Sequence, residues 1–109
     1  MAEYLILIYQ DESADVDREA IMSGHVRFQQ EHGSSLRGGN ALDGSGTATS
    51  VRKDGGGGFT ITDGTFAETK EALGGYYLVE AADLDEAIAV SKGIPMPSGG
   101  IEIRPVRDV

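Results

Sequence analysis

Apolar residues gather in short runs along the chain, parted by glycines and polar stretches. Tyr4–Tyr9, read as YLILIY, is continuous, β-branched and aromatic. Six residues suit a strand, and apolar side chains on both faces predict a central strand covered on both sides. One face would meet helices, and the other would need a partner subunit or a folded-over loop. Asp11–Asp15 is polar, and Asp15 or Asp17 can cap a helix by accepting from its free N–H groups. That helix is predicted over Val16–His32, with Gly33 as its C′ residue. Ile21, His25, Phe28 and His32 share one of its faces, so His25 points at the sheet between apolar neighbours.

Ser34–Gly46 is rich in Gly, Ser and Asn and reads as a loop. Thr47–Arg52 and Phe59–Thr62 read as a β-hairpin whose tip holds Lys53, Asp54 and the four glycines 55–58. No GK[ST] follows and no helix starts there, so this is not a phosphate-binding loop. A turn at Asp63-Gly64, a polar connection Glu68–Glu71 and Gly74-Gly75 lead into a strand at Tyr76–Val79. The two glycines read as backbone requirements, through positive φ or close approach. Asp83-Leu84-Asp85-Glu86 resembles a capping box and opens a short helix with Leu84, Ala87, Ile88 and Ser91 on one face, ending at Lys92-Gly93. Ile101–Val106 alternates as a half-buried strand, which Pro105 ends or confines to an edge.

The predicted order β-α-β-β-β-α-β is that of an α+β sandwich, a mainly antiparallel sheet with two helices on one face. It fits a ferredoxin-like fold with one added strand. A length of 109 residues holds a single domain, residues 1–109. Hydrophobic content is 39%, diluted by 16 glycines, and a chain of this size leaves roughly a third of its unfolded surface uncovered. A homodimer that covers one sheet face is therefore expected.

Nine basic against 18 acidic residues give a net charge of −9, which disfavours nucleic acid and anionic membrane surfaces. The absence of cysteine excludes disulfides, thiolate nucleophiles and cysteine-based zinc sites. Two histidines seven residues apart do not make a metal site, and no cofactor is implied. The opening apolar run lacks a basic flank and is too short for a signal peptide or membrane span, so a cytoplasmic location is expected.

The stretch TDGTFAETKEALGGYYLVE, residues 62–80, resembles the signature of the DGPF (YCII-related) family, TDGPFAETKE-x-LGGYYL. The opening LILIY, His25 with Phe28, DLDEA and EIRPV extend the resemblance over nearly the whole chain. It implies a ferredoxin-like subunit that dimerises as an α/β barrel. It also implies a His–Asp pair in a cleft between sheet and helix, here His25 and Asp63, for proton transfer or hydrolysis on a small organic molecule. A carboxylate beside an imidazole fixes its tautomer and stabilises its charged form. Read structurally, the same pair is a helix histidine donating one buried hydrogen bond. Gly64, Phe66, Glu68, Lys70 and Tyr76 are candidate ligand contacts, although each charge also suits a solvent-facing turn and each ring suits core packing. Tyr76 and Tyr77 face opposite sides of their strand, so at most one can look into the cleft. Thr65 replaces the family's proline and leaves the turn freer. Some relatives are associated with sigma-factor systems, which implies the alternative of a non-catalytic binding or regulatory module.

Overall fold

The computed structural model describes residues 1–66 and 70–108. Its elements in chain order are β1 (Ala2–Asp11), α1 (Arg18–His32), β2 (Leu36–Ala41), a 3₁₀ turn (Ser45–Thr47), β3 (Thr49–Lys53), β4 (Phe59–Asp63), β5 (Glu71–Ala81), α2 (Leu84–Ser91) and β6 (Ile101–Pro105). The fold is α+β, with antiparallel pairing throughout both sheets. The larger sheet has the order β2-β5-β1-β6, and β3 and β4 pair only with each other.

Strand alternation sorts the larger sheet into two faces. Tyr4 and Ile6 of β1 lie opposite Val79 and Tyr77 of β5. With Ala81 they form a core with Phe28 of α1, Ala87 and Val90 of α2, and Ile94. Both helices therefore lie on this face. Leu5 and Leu7 lie opposite Leu78 and Tyr76 on the other face, all only half-buried. Glu3, Glu80, Glu102 and Arg104 share that open face by register.

The N-cap of α1 is Asp17, whose carboxylate accepts from the Ala20 N–H at 3.1 Å. Gly33 ends the helix in right-handed conformation, without the left-handed turn expected of it. The chain instead continues in tight turns, with Ser35 N–H bonded to the His32 carbonyl and Leu36 N–H to that of Gly33. Asp83 caps α2 by accepting from Glu86 N–H, while Glu86 accepts from Ala82 N–H. The buried face of α2 is Ala87, Val90 and Ser91, whereas Leu84 and Ile88 are exposed.

Ser34–Gly46 is not all loop, because Leu36–Ala41 forms β2 at the sheet edge. Gly39 fits the site, since a Cβ there would stand 2.7 Å from both the Tyr76 carbonyl and the Tyr77 ring. The hairpin adds no strand to the larger sheet. β5 begins at Glu71, so Gly74 and Gly75 lie inside it. Close approach explains Gly75, 2.9 Å from the Asn40 carbonyl through an added Cβ. Positive φ occurs instead at Gly57 and Gly64.

Candidate functional site

His25 sits on the inward face of α1, half-buried above β5. Its Nδ1 lies 2.8 Å from the Tyr77 hydroxyl, to which Gln29 donates through Nε2 at 3.2 Å. Each position follows from periodicity. Gln29 is one helical turn beyond His25, and Tyr77 shares the inward face of β5 with Val79 and Ala81. With Gln29 donating to the phenol oxygen, the hydroxyl is placed to donate to Nδ1 in the tautomer that carries the ring proton on Nε2. Phe28 stacks at a tilt on Tyr77, with centroids 4.9 Å apart, and on His32 at 5.1 Å. The aromatic wall holds Tyr77 in place. Burial lowers the His25 pKa below its ordinary 6.5, because the charged ring loses hydration there.

The candidates from sequence are scattered around this cluster. Asp63 closes β4 opposite Thr49 and is exposed, and no hydrogen bond or ion pair joins it to His25 within the chain. Gly64 has φ 101°, donates to the Ala48 carbonyl at 2.7 Å and accepts from Ser50 Oγ at 2.5 Å. Its place is in the architecture of a turn. Phe66 lies under the Arg52 guanidinium at 4.1 Å and is 64% exposed. Lys70 Nζ is 3.9 Å from Asp11 Oδ2, with its side chain out in solvent. Tyr76 is on the open sheet face and accepts from Asn40 Nδ2 at 2.9 Å. Glu68 lies outside the described residues. Among the described members of the set, none but His25 takes part in the His25–Tyr77–Gln29 cluster.

Tyr77 and Gln29 are the members that sequence reasoning missed. A signal for Tyr77 existed: Glu80 marks its parity in β5 as the open side, which puts Tyr77 with Val79 on the covered one. Two open depressions mark the surface elsewhere. One, about 550 Å³, runs along the outer side of α1 past Met22 and Val26. The other, about 400 Å³, lies between Tyr9, Glu71 and Ile101. Neither is lined by His25.

A half-buried histidine on the first helix, aimed at a paired tyrosine in the strand after a glycine doublet, accompanies a match to the YCII-related domain over residues 2–109. The chain belongs to the YCII-related domain family. This YCII-related domain is also 41% identical over 63 residues to an uncharacterised protein of Rhizobium meliloti (strain 1021). That match covers 55% of the present chain and 51% of the relative, so it spans about half the relative's length. No helix among the described residues of the YCII-related domain is long and apolar enough to cross a membrane.

Proposed function

We propose that this YCII-related domain is a subunit of a homodimer that holds a small organic molecule beside His25 and carries out proton transfer or hydrolysis on it. The observation that carries this reading is the His25–Tyr77–Gln29 chain of hydrogen bonds. A neutral imidazole, oriented at one nitrogen and half-open to solvent, can donate Nε2–H to a ligand oxygen. It can also relay a proton as Nδ1 takes one from the phenol. The sheet order β2-β5-β1-β6 with both helices on one face supports a ferredoxin-like subunit, with the hairpin as an insertion. The apolar open face of the sheet supports dimerisation as an α/β barrel.

The test is to follow the His25 ring signals by NMR while small carboxylic and carbonyl compounds are screened. A subset should perturb His25 and Tyr77 together, and the effect should vanish in Tyr77→Phe. If no compound at millimolar concentration moves His25, the reading is lost. A pH titration of the same signals separates the two candidate partners. Asp63→Asn should leave the His25 pKa unmoved, because burial is what holds it below 6.5, whereas Tyr77→Phe should move the His25 ring signals at fixed pH through loss of its hydrogen bond. The opposite result would assign the pair to His25 and Asp63.

A further inference from the structure

Gly74 is left without a partner where β5 pairs with β1. Ile8 lies opposite Gly75 and Tyr9 opposite Leu73, so two steps of β5 match one of β1 and a bulge falls at the glycine. β1 keeps its own alternation, which puts Ile8 and Gln10 on the helix-covered face with Tyr4 and Ile6. The Gln10 side chain lies face-on over Gly74, where a Cβ would stand 2.6, 2.7 and 2.9 Å from its Cδ, Nε2 and Oε1. Gly74 has no positive φ, so what the position needs is room for this carboxamide. Gln10 is exposed, and among the described residues neither polar atom of its side chain has a hydrogen-bond partner.

The same end of the sheet faces His25. α1 starts a short loop after Asp11 and finishes at the far end of β1, where Ser35 bonds Glu80 opposite Glu3. The two elements therefore run antiparallel, and the His25 side chain, tilted towards the N-terminus of its helix, leans to the Gln10 end. Gly74 is three residues along β5 from Tyr77, roughly 10 Å. The carboxamide and the imidazole thus share one face at about that separation, with Ile8 and Gly75 between them and Ile21 one turn from His25 on α1.

We propose that Gln10 is the second ligand contact of the His25 site, and that the site takes an uncharged molecule with an amide at one end and a carbonyl oxygen at the other. This rests on the function proposed above and names its substrate class. A carboxamide offers a donor and an acceptor side by side, which an amide answers with both. His25 Nε2–H meets the far oxygen, and the apolar middle lies on Ile8 and Gly75. A carboxylate answers only the donor and an ammonium only the acceptor, and either loses hydration without a full partner. The rim also repels anions: residues 11–19 hold five carboxylates against Arg18 alone, with Lys70 beside Asp11.

NMR titrations at about pH 7.5 test this with 4-acetylbenzamide, whose amide and ketone stand a phenyl ring apart. Acetophenone, 4-acetylbenzoate and 4-(aminomethyl)acetophenone are the comparisons. The amide should shift the His25 ring signals and the Gln10 side-chain NH₂ together. Gln10→Ala removes an exposed side chain that holds nothing, so the fold should persist. It should weaken 4-acetylbenzamide about ten-fold, the loss expected for two neutral hydrogen bonds, and leave acetophenone unchanged. Gly74→Ala, which displaces the carboxamide without removing it, should do the same. If 4-acetylbenzamide moves His25 equally in the wild type and in Gln10→Ala, Gln10 is not a contact and the His25 site stands without it. A charged analogue bound as tightly as the amide overturns the uncharged class. If none of the compounds moves His25 at millimolar concentration, this inference falls together with the function it rests on.

Discussion

At the scale of single residues, burial holds His25 neutral, and this has a consequence for stability. Its pKa in the fold is below the unfolded value of 6.5, so between the two values the unfolded chain binds the extra proton. The contribution is therefore complete above about pH 6.5 and is lost as pH falls from there through the folded value. The melting temperature should decline on acidification from about pH 7.5 to pH 5, and His25→Gln should flatten that decline. Asp11 and Glu12 act in a separate window. Hydrogen bonds from Ser13 and Ser45 hold their carboxyls below 3.8 and 4.5, so what they add is lost only in stronger acid. Gly39 controls the same site from the neighbouring strand. Gly39→Ala forces a Cβ against the Tyr77 ring and the Tyr76 carbonyl and should cost about 1–3 kcal/mol. It should also shift the His25 ring signals, as thermal denaturation and NMR would show. The inward direction of His25 was legible from the spacing of Ile21, Phe28 and His32. Its partner was not, because a motif supplies residues without saying which side of a strand each one faces.

At the scale of elements, the clearest reading came where side-chain chemistry is local. Asp83 caps its helix as the sequence predicts, and of the two candidates Asp15 and Asp17 it is Asp17 that caps α1, since an N-cap needs only a short acceptor and the next turn. Asp83→Ala should lower stability by about 1 kcal/mol, measurable by denaturant unfolding. The hairpin was equally legible, to within two residues. β2 was not. LRGGNA has neither alternation nor β-branched residues, and it becomes a strand because β5 offers it a ladder and Gly39 lets the chains approach. The face of α2 was half legible: of Leu84, Ala87, Ile88 and Ser91, the small Ala87 and Ser91 are buried close to the sheet with Val90, whereas Leu84 and Ile88 are exposed.

At the scale of the whole molecule, charge and apolar surface oppose each other. In the proposed homodimer two copies bearing −9 apiece would repel at long range, against the apolar contact between their open sheet faces. Raising ionic strength from about 20 to 300 mM shortens the screening length from roughly 20 Å to under 8 Å. Dimer affinity should therefore increase with salt, which sedimentation at the two concentrations would check. The hairpin's position carries a different consequence. β2 and β5 are hydrogen-bonded neighbours, and Leu42 N–H still bonds the Gly74 carbonyl as the chain departs. Residues 43–70 thus leave one sheet margin and come back to it. To bring β2 onto β5, the chain must close that excursion as a loop, and each halving of its length saves about 0.6 kcal/mol of closure entropy. The four-stranded layer therefore folds against a kinetic burden that its own contacts do not require. A version with the excursion replaced by a short turn should reach its native sheet faster.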